Sequence, residues 1–279
     1  VYTLRGLKLQ GTRGWKRNLL LWAERMSARC AHAVLCNSMS LRKDALALGI
    51  APAEKLRLLG DGSSNGVDLE RFSPGPSGVR EQLGIGADEP VIGFVGRLTR
   101  DKGVPELVGA FEEILRHDSQ ARLLMVGWFD AAEDALPEAL QKKITAHPRM
   151  CVTGYVTNVE EYYRAMDVMV LPTHREGFPN AVLEASACGV PVVTTDSTGA
   201  RDAVMAELTG FVIPPGNPGA IVEAVMKLLG DAELRKRMGA AGRRFVAEKY
   251  PRALVLGLVV AFFQGLVRGE AGKDGWDQM

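Results

Sequence analysis

Hydrophobic residues in this chain fall into short continuous runs separated by stretches with helical spacing. Val91-Ile-Gly-Phe-Val95, Ala121-Arg-Leu-Leu-Met-Val126, Met150-Cys-Val-Thr153, residues 167–171, 191–195 and Gly210-Phe-Val-Ile213 each read as a buried strand. Between them, apolar positions recur at helical spacing over 104–117, 136–146 and 159–166, and helices over 218–229 and 231–249 close the series. This alternation predicts a Rossmann-like α/β domain with an open parallel sheet. A shorter version of the rhythm precedes it. Strands over 1–4, 33–36 and 55–59 flank a helix over 14–30 and a second one through Leu48, capped by Ser38 or Ser40 and closed by Gly49. Three strands leave one face of such a sheet poorly covered, so the expectation is an N-terminal domain lacking its first part. Turn-rich stretches at 61–68 and 73–78 mark the expected boundary. The division is then 1–75, 76–250, and 251–279. The last piece holds an apolar helix over 252–268, which either crosses back to the first domain or packs on its own, and a tail.

Composition bounds the class without naming it. The 279 residues are 47% hydrophobic and 24% charged, which is ordinary for a globular protein long enough for two domains. Net charge is +1, but residues 1–57 carry eleven bases against three acids, a local +8 that leaves −7 elsewhere. A basic front suggests an anionic surface or substrate. Cys30, Cys36, Cys151 and Cys188 show no metal-ligand spacing and read as reduced thiols of a cytoplasmic protein. In the 14–30 helix, Trp15, Leu19, Trp22 and Met26 recur at helical spacing among Lys16, Arg17, Arg25 and Arg29. Two readings stay open, an amphipathic core helix and a peripheral contact with an anionic membrane.

Three loops carry candidate chemistry, all at the carboxyl ends of strands, where open α/β sheets hold ligands. After the first strand of the larger domain comes Gly96-Arg-Leu-Thr-Arg-Asp-Lys102-Gly103. Gly96 allows close backbone approach, and Arg97 and Lys102 are two cations suited to a diphosphate. After the third strand, the backbone of Gly154-Tyr155-Val156 offers a donor and an acceptor to a nucleobase. After the fourth, Thr173-His-Arg-Glu-Gly-Phe-Pro-Asn180 leads into a helix whose free N–H groups favour an anion. Glu176 and Glu184 bracket that helix start, and a carboxylate accepts two hydrogen bonds from a vicinal diol. A glycosidase pair of acids is the poorer reading, because such a pair has no use for the basic loop.

Together, and with Gly189-x-Pro-Val-Val, Thr198-Gly-Ala-Arg-Asp202 and Thr209-Gly-Phe-Val-Ile-Pro-Pro215, these motifs resemble the C-terminal half of GT-B retaining glycosyltransferases of the family 4 type. Val1-Tyr-Thr-Leu-Arg-Gly6, Cys36-Asn-Ser38 and Gly62-Ser-Ser-Asn-Gly-Val-Asp68 look like the end of that family's N-terminal domain. The details are most similar to members that assemble capsule, O-antigen and lipid-linked glycans. The resemblance implies two Rossmann-like domains around a cleft and a hexosyltransferase using a nucleotide-diphosphate sugar, most often a UDP-sugar. It implies that Arg97 and Lys102 grip the diphosphate and that Glu176 reads the donor sugar. Glu184 would read the ribose and Gly154, Tyr155 and Val156 the base. The backbone of Gly177, Phe178, Pro179 and Asn180 would cap the sugar and distal phosphate, with Gly96 and Val182 among the donor-binding positions. The acceptor would be a glycan or a lipid-diphosphate-linked sugar, with no nucleic acid involved. No Asp-x-Asp occurs, so a metal-independent reaction without cofactor is expected. One departure matters: Arg5 stands where the family usually has His, on the acceptor side. The family's glycine-rich loop after its first strand has no counterpart here either, so a binding-only homologue is an alternative. A sugar-nucleotide epimerase on the same fold is a second.

Overall fold

The computed structural model describes residues 1–131 and 134–268. Tyr2–Leu4 (β1), Val34–Cys36 (β2) and Leu56–Leu58 (β3) form a parallel three-stranded sheet in the order β1-β2-β3. The helices Gly14–Cys30 (α1) and Met39–Ala47 (α2) connect them. Side chains alternate across this sheet, as strand geometry requires. Val34 and Cys36 face a cluster with Leu4, Leu41 and Leu56, whereas Ala33 and Leu35 face the other way. Of the two candidate caps, Ser38 is the one used: its Oγ accepts from the Leu41 N–H at 3.2 Å.

A short helix, Val79–Gln82 (α3), leads into the larger unit, where the strands are Val91–Val95 (β4), Arg122–Val126 (β5), Met150–Val152 (β6), Val168–Leu171 (β7), Val192–Thr195 (β8) and Gly210–Ile213 (β9). All pair in parallel in the order β6-β5-β4-β7-β8-β9. Successive connections run outward from β4 to one edge, then return and run to the other. The β4/β7 junction is therefore the switch point of a doubly wound sheet, and a crevice opens above its carboxyl edge. Helices Val104–His117 (α4), Glu138–Ala146 (α5), Val159–Arg164 (α6) and Asn180–Ala187 (α7) make the crossovers from β4 to β8, and Pro218–Gly230 (α8) and Ala232–Lys249 (α9) follow β9 and help cover the faces. In α4 the stripe Val104, Leu107, Val108, Phe111 and Ile114 is wholly buried, about 2 kcal/mol per side chain on area grounds. Helix α7 stops where its sequence says. The Gly189 N–H bonds the Ser186 carbonyl at 2.9 Å and the Val190 N–H bonds Ala185 at 3.0 Å, a Schellman closure that Gly189 permits at φ +79°.

Val67, inside the first turn-rich stretch, and Phe72, between the two, already belong to the core of the larger sheet. Val67 also exchanges backbone hydrogen bonds with Tyr250 and Arg252, at 2.8 and 2.9 Å. That clamp starts the last helix, Arg252–Val267 (α10). Phe262 of α10 packs on Ala33 and Leu35, the face of the small sheet opposite α1 and α2. The apolar helix thus crosses to the first sheet, and the expected tail lies outside the described residues. No helix among the described residues is long and apolar enough to cross a membrane.

Candidate functional site

Strand order brings the loops after β4 and β7 together at the switch point. The His174 N–H donates to the Asp101 carbonyl at 2.8 Å, and Thr173 Oγ1 donates to the same oxygen at 3.2 Å. Between the two loops, Lys102 Nζ donates to Glu176 Oε1 at 2.5 Å, each side chain only 16% exposed. Arg97 Nη1 meets Asp130 Oδ2 at 2.7 Å. Arg97, Lys102, Glu176 and Gly177 line one cavity of about 300 Å³, which Arg5 to Lys8 of the first unit complete. The two cations expected to grip a diphosphate therefore share a cavity with the acid expected to read a sugar, and each already carries a carboxylate partner.

Five more of the expected positions lie next door. Gly96, Gly154, Tyr155, Val156 and Glu184 line a second cavity of about 330 Å³. Gly96 and Arg97 are consecutive, so one chain step separates the two spaces. Trp128 and Tyr155 stand edge to face at its mouth, with ring centroids 6.2 Å apart. Glu184 accepts from Tyr163 Oη at 2.9 Å. Burial pushes the Glu184 carboxyl above its ordinary value, against the opposing pull of the Tyr163 hydrogen bond and the Arg71 and Arg252 charges. Tyr163, wholly buried, is pushed well above the ordinary tyrosine value by burial and by Glu184, so it keeps its proton and donates it.

That environment sets a stability prediction. A carboxyl with a raised folded-state pKa costs stability when ionised, and the cost grows as pH rises from 4.5 through the raised value. Glu184→Gln keeps an acceptor for Tyr163 and removes the charge. At pH 7 the variant should melt a few degrees above the unmodified protein, and the gap should close toward pH 4.5, as read by scanning calorimetry. A pH-independent gap would show that the charge carries no such cost.

Several expected positions are not brought to a cavity. The Val182 side chain is fully buried in the core, and its N–H bonds the Pro179 carbonyl at 3.2 Å. Phe178 packs on Tyr250, ring centroids 5.3 Å apart. These two side chains support the loop from below and do not face a ligand. Conversely, Trp128, Arg71 and Arg252 line the second cavity, and Asp101 and Arg175 the first, none of them expected. Trp128 had a usable signal, since Gly127-Trp128 follows a strand at the ligand edge. Arg71 and Arg252 had none, because only packing brings them beside Glu184.

The first unit meets the second through backbone. A Cβ on Gly177 would sit 1.9 Å from the Arg5 carbonyl oxygen, and within the larger unit one on Gly199 would sit 2.2 Å from the Gly177 oxygen. Asp202 Oδ2 accepts from the Ser40 N–H in the first turn of α2 at 2.7 Å, and the Gly199 N–H donates to Ser40 Oγ at 2.7 Å. The Thr198-Gly-Ala-Arg-Asp202 motif is thus an inter-unit clasp. Arg5, tied to Ser64 Oγ at 3.3 Å, borders the first cavity from that side.

Comparison with known proteins gives the family and the fold. Residues 78–245 match the family Glycosyl transferases group 1, and the chain belongs to that family. It is 34% identical over 274 residues to the capsular polysaccharide biosynthesis glycosyltransferase CapM of Staphylococcus aureus, covering 98% of this chain and 72% of that protein. It is also 34% identical over 198 residues to a D-inositol 3-phosphate glycosyltransferase of Kineococcus radiotolerans, covering 64% of this chain but 46% of that protein. Among solved structures, a sucrose-phosphate synthase from Thermosynechococcus elongatus superposes with TM-score 0.81 at 27% identity, over 95% of this chain and 67% of that one. Anabaena Alr3699/HepE in complex with UDP and glucose does so with TM-score 0.81 at 21% identity, over 94% and 70%. The fold is GT-B.

Proposed function

We propose that this chain holds a UDP-sugar across the two adjoining cavities and moves its hexosyl group, with retention of configuration, to a glycan or lipid-diphosphate-linked acceptor in cell-surface polysaccharide synthesis. The observation that carries the reading is the pairing of Lys102 with Glu176 one chain step from the pocket of Glu184. Ribose acid, cations and sugar acid then follow one another in the order of a nucleotide sugar's own parts. The base lies along Gly154, Tyr155 and Val156, and Glu184 accepts the ribose hydroxyls, with Tyr163 holding its second oxygen. Arg97 and Lys102 take the diphosphate, with the backbone of Gly177 to Asn180 at the start of α7. Glu176 accepts hydroxyls of the sugar.

Departure of the nucleoside diphosphate builds negative charge on its distal phosphate. Preorganised cations and helix N–H groups stabilise that charge as it grows, most strongly where water is excluded. Two cations at this position replace a divalent metal as counter-charge, so the reaction is assigned as metal-independent. The UDP and glucose bound to the Anabaena structure, and the capsule role in the name of CapM, support the donor and the pathway class. The cytoplasmic side of the cell membrane is the matching location.

Titration calorimetry with UDP tests the donor assignment. Binding should persist in EDTA and exceed that of ADP, and heat-silent titrations with UDP would sink the reading. A second reading has its own observation: Arg5 borders the reactive cavity, and its guanidinium, which has hydrogen-bond donors and no acceptor, offers no base for an acceptor's proton. UDP binding without donor consumption, in the presence of a lipid-linked glycan extract, would assign this chain to binding alone.

A further inference from the structure

Helix α1 does not bury its apolar stripe. At roughly 100° per residue, Trp15, Leu19, Trp22 and Met26 project from a single face. That face is the outer one: Trp15 is 71% exposed and Trp22 60%, with Leu19 and Met26 exposed beside them. The core side of the same helix uses Ala28, Leu20 and Leu21. The amphipathic pattern is therefore real, but its larger apolar side chains point away from the protein. Lys16 flanks the stripe on one side and Arg25 and Arg29 on the other, all three exposed. Glu24, the helix's one carboxylate, lies on the opposite side and accepts a hydrogen bond from Tyr2 Oη.

We propose that α1 is a docking surface for an anionic phospholipid bilayer, lying in the plane of the membrane with Trp15, Leu19, Trp22 and Met26 inserted at headgroup depth. Tryptophan suits that depth because its ring is apolar and its N–H needs a polar partner. Charge complementarity selects the lipid over a second copy of the chain. A symmetric pair would set Lys16, Arg25 and Arg29 of one face against the same cations of the other. An anionic headgroup layer neutralises all three and attracts the surplus of bases in residues 1–57. The inference stands on the exposed helix alone and does not depend on the donor assignment above.

Vesicle sedimentation with the full chain tests it. Vesicles of phosphatidylcholine mixed with phosphatidylglycerol should retain the protein at least about tenfold more strongly than pure phosphatidylcholine, the preference fading in high salt. Trp15→Glu combined with Trp22→Glu should reduce retention on the anionic vesicles at least about tenfold, with an unchanged melting temperature because both side chains are exposed. Lys16→Glu with Arg29→Glu should abolish the preference for anionic lipid while leaving the fold intact. Equal retention on both vesicle types, or Trp15/Trp22 variants that sediment like the unmodified chain, would overturn the proposal. A dimer in sedimentation velocity that the Trp22→Glu change dissociates would overturn it too, by giving the face to a second copy.

Discussion

Lys102→Ala is expected to lower kcat/KM for sugar transfer by about 10²–10³-fold, the usual effect of removing one preorganised donor from a site where charge develops. Affinity for UDP should fall by roughly tenfold or more in titration calorimetry, because a charge-assisted contact to phosphate is lost. The change also strands Glu176, which is only 16% exposed and takes its hydrogen bond from Lys102 at 2.5 Å. Lys102→Arg should recover part of the loss, since the charge returns but the geometry of a compact ammonium does not. Unchanged UDP affinity in the alanine variant would remove Lys102 from the donor site.

Gly177→Ala is expected to act on the joint between the two sheets. Its Cβ would fall 1.9 Å from the Arg5 carbonyl oxygen and 2.5 Å from the Arg5 carbonyl carbon, and backbone cannot rotate away as a side-chain tip can. The loop at Arg5 and Gly6 must shift, at an expected cost of about 2–3 kcal/mol and a melting temperature roughly 5–10 °C lower. The same shift opens the cavity of Lys102 and Glu176 on the side that Arg5 borders, so donor turnover should fall with stability. Gly109, in the middle of α4, meets nothing within 4 Å of an added Cβ, and Gly109→Ala is the matched control that should leave both properties intact. A Gly177→Ala variant as stable as that control would show that the close approach of the two units is not maintained in solution.

Much of this was legible in residue order. The six strands of the larger sheet and their helices follow from local patterns: continuous apolar runs for strands buried on both faces, and helical spacing for the covers. The loops after β4, β6 and β7 were legible for the same reason, since a strand's end can be located without knowing its neighbours. Fine features at chain ends of elements were less so. The short helix α3 directly follows a turn-rich stretch and is too short to show a period, and Val67 and Phe72 sit in the large core despite their linker-like surroundings.

The sequence by itself determined the kinds of groups available: two cations, two acids and three strand-end loops in an order that resembles a glycosyltransferase. It did so because strand, helix and turn preferences act over a few residues. Only the tertiary structure decided their partners. Lys102 meets Glu176 because β4 and β7 are neighbours at the switch point, and Glu184 meets Tyr163, Arg71 and Arg252 because four separate segments converge beneath one loop. The same holds for α1, whose stripe is identical whether it faces core or solvent. Periodicity fixes which residues share a face, but the direction of that face depends on where the sheet lies, and here the sheet takes Ala28, Leu20 and Leu21.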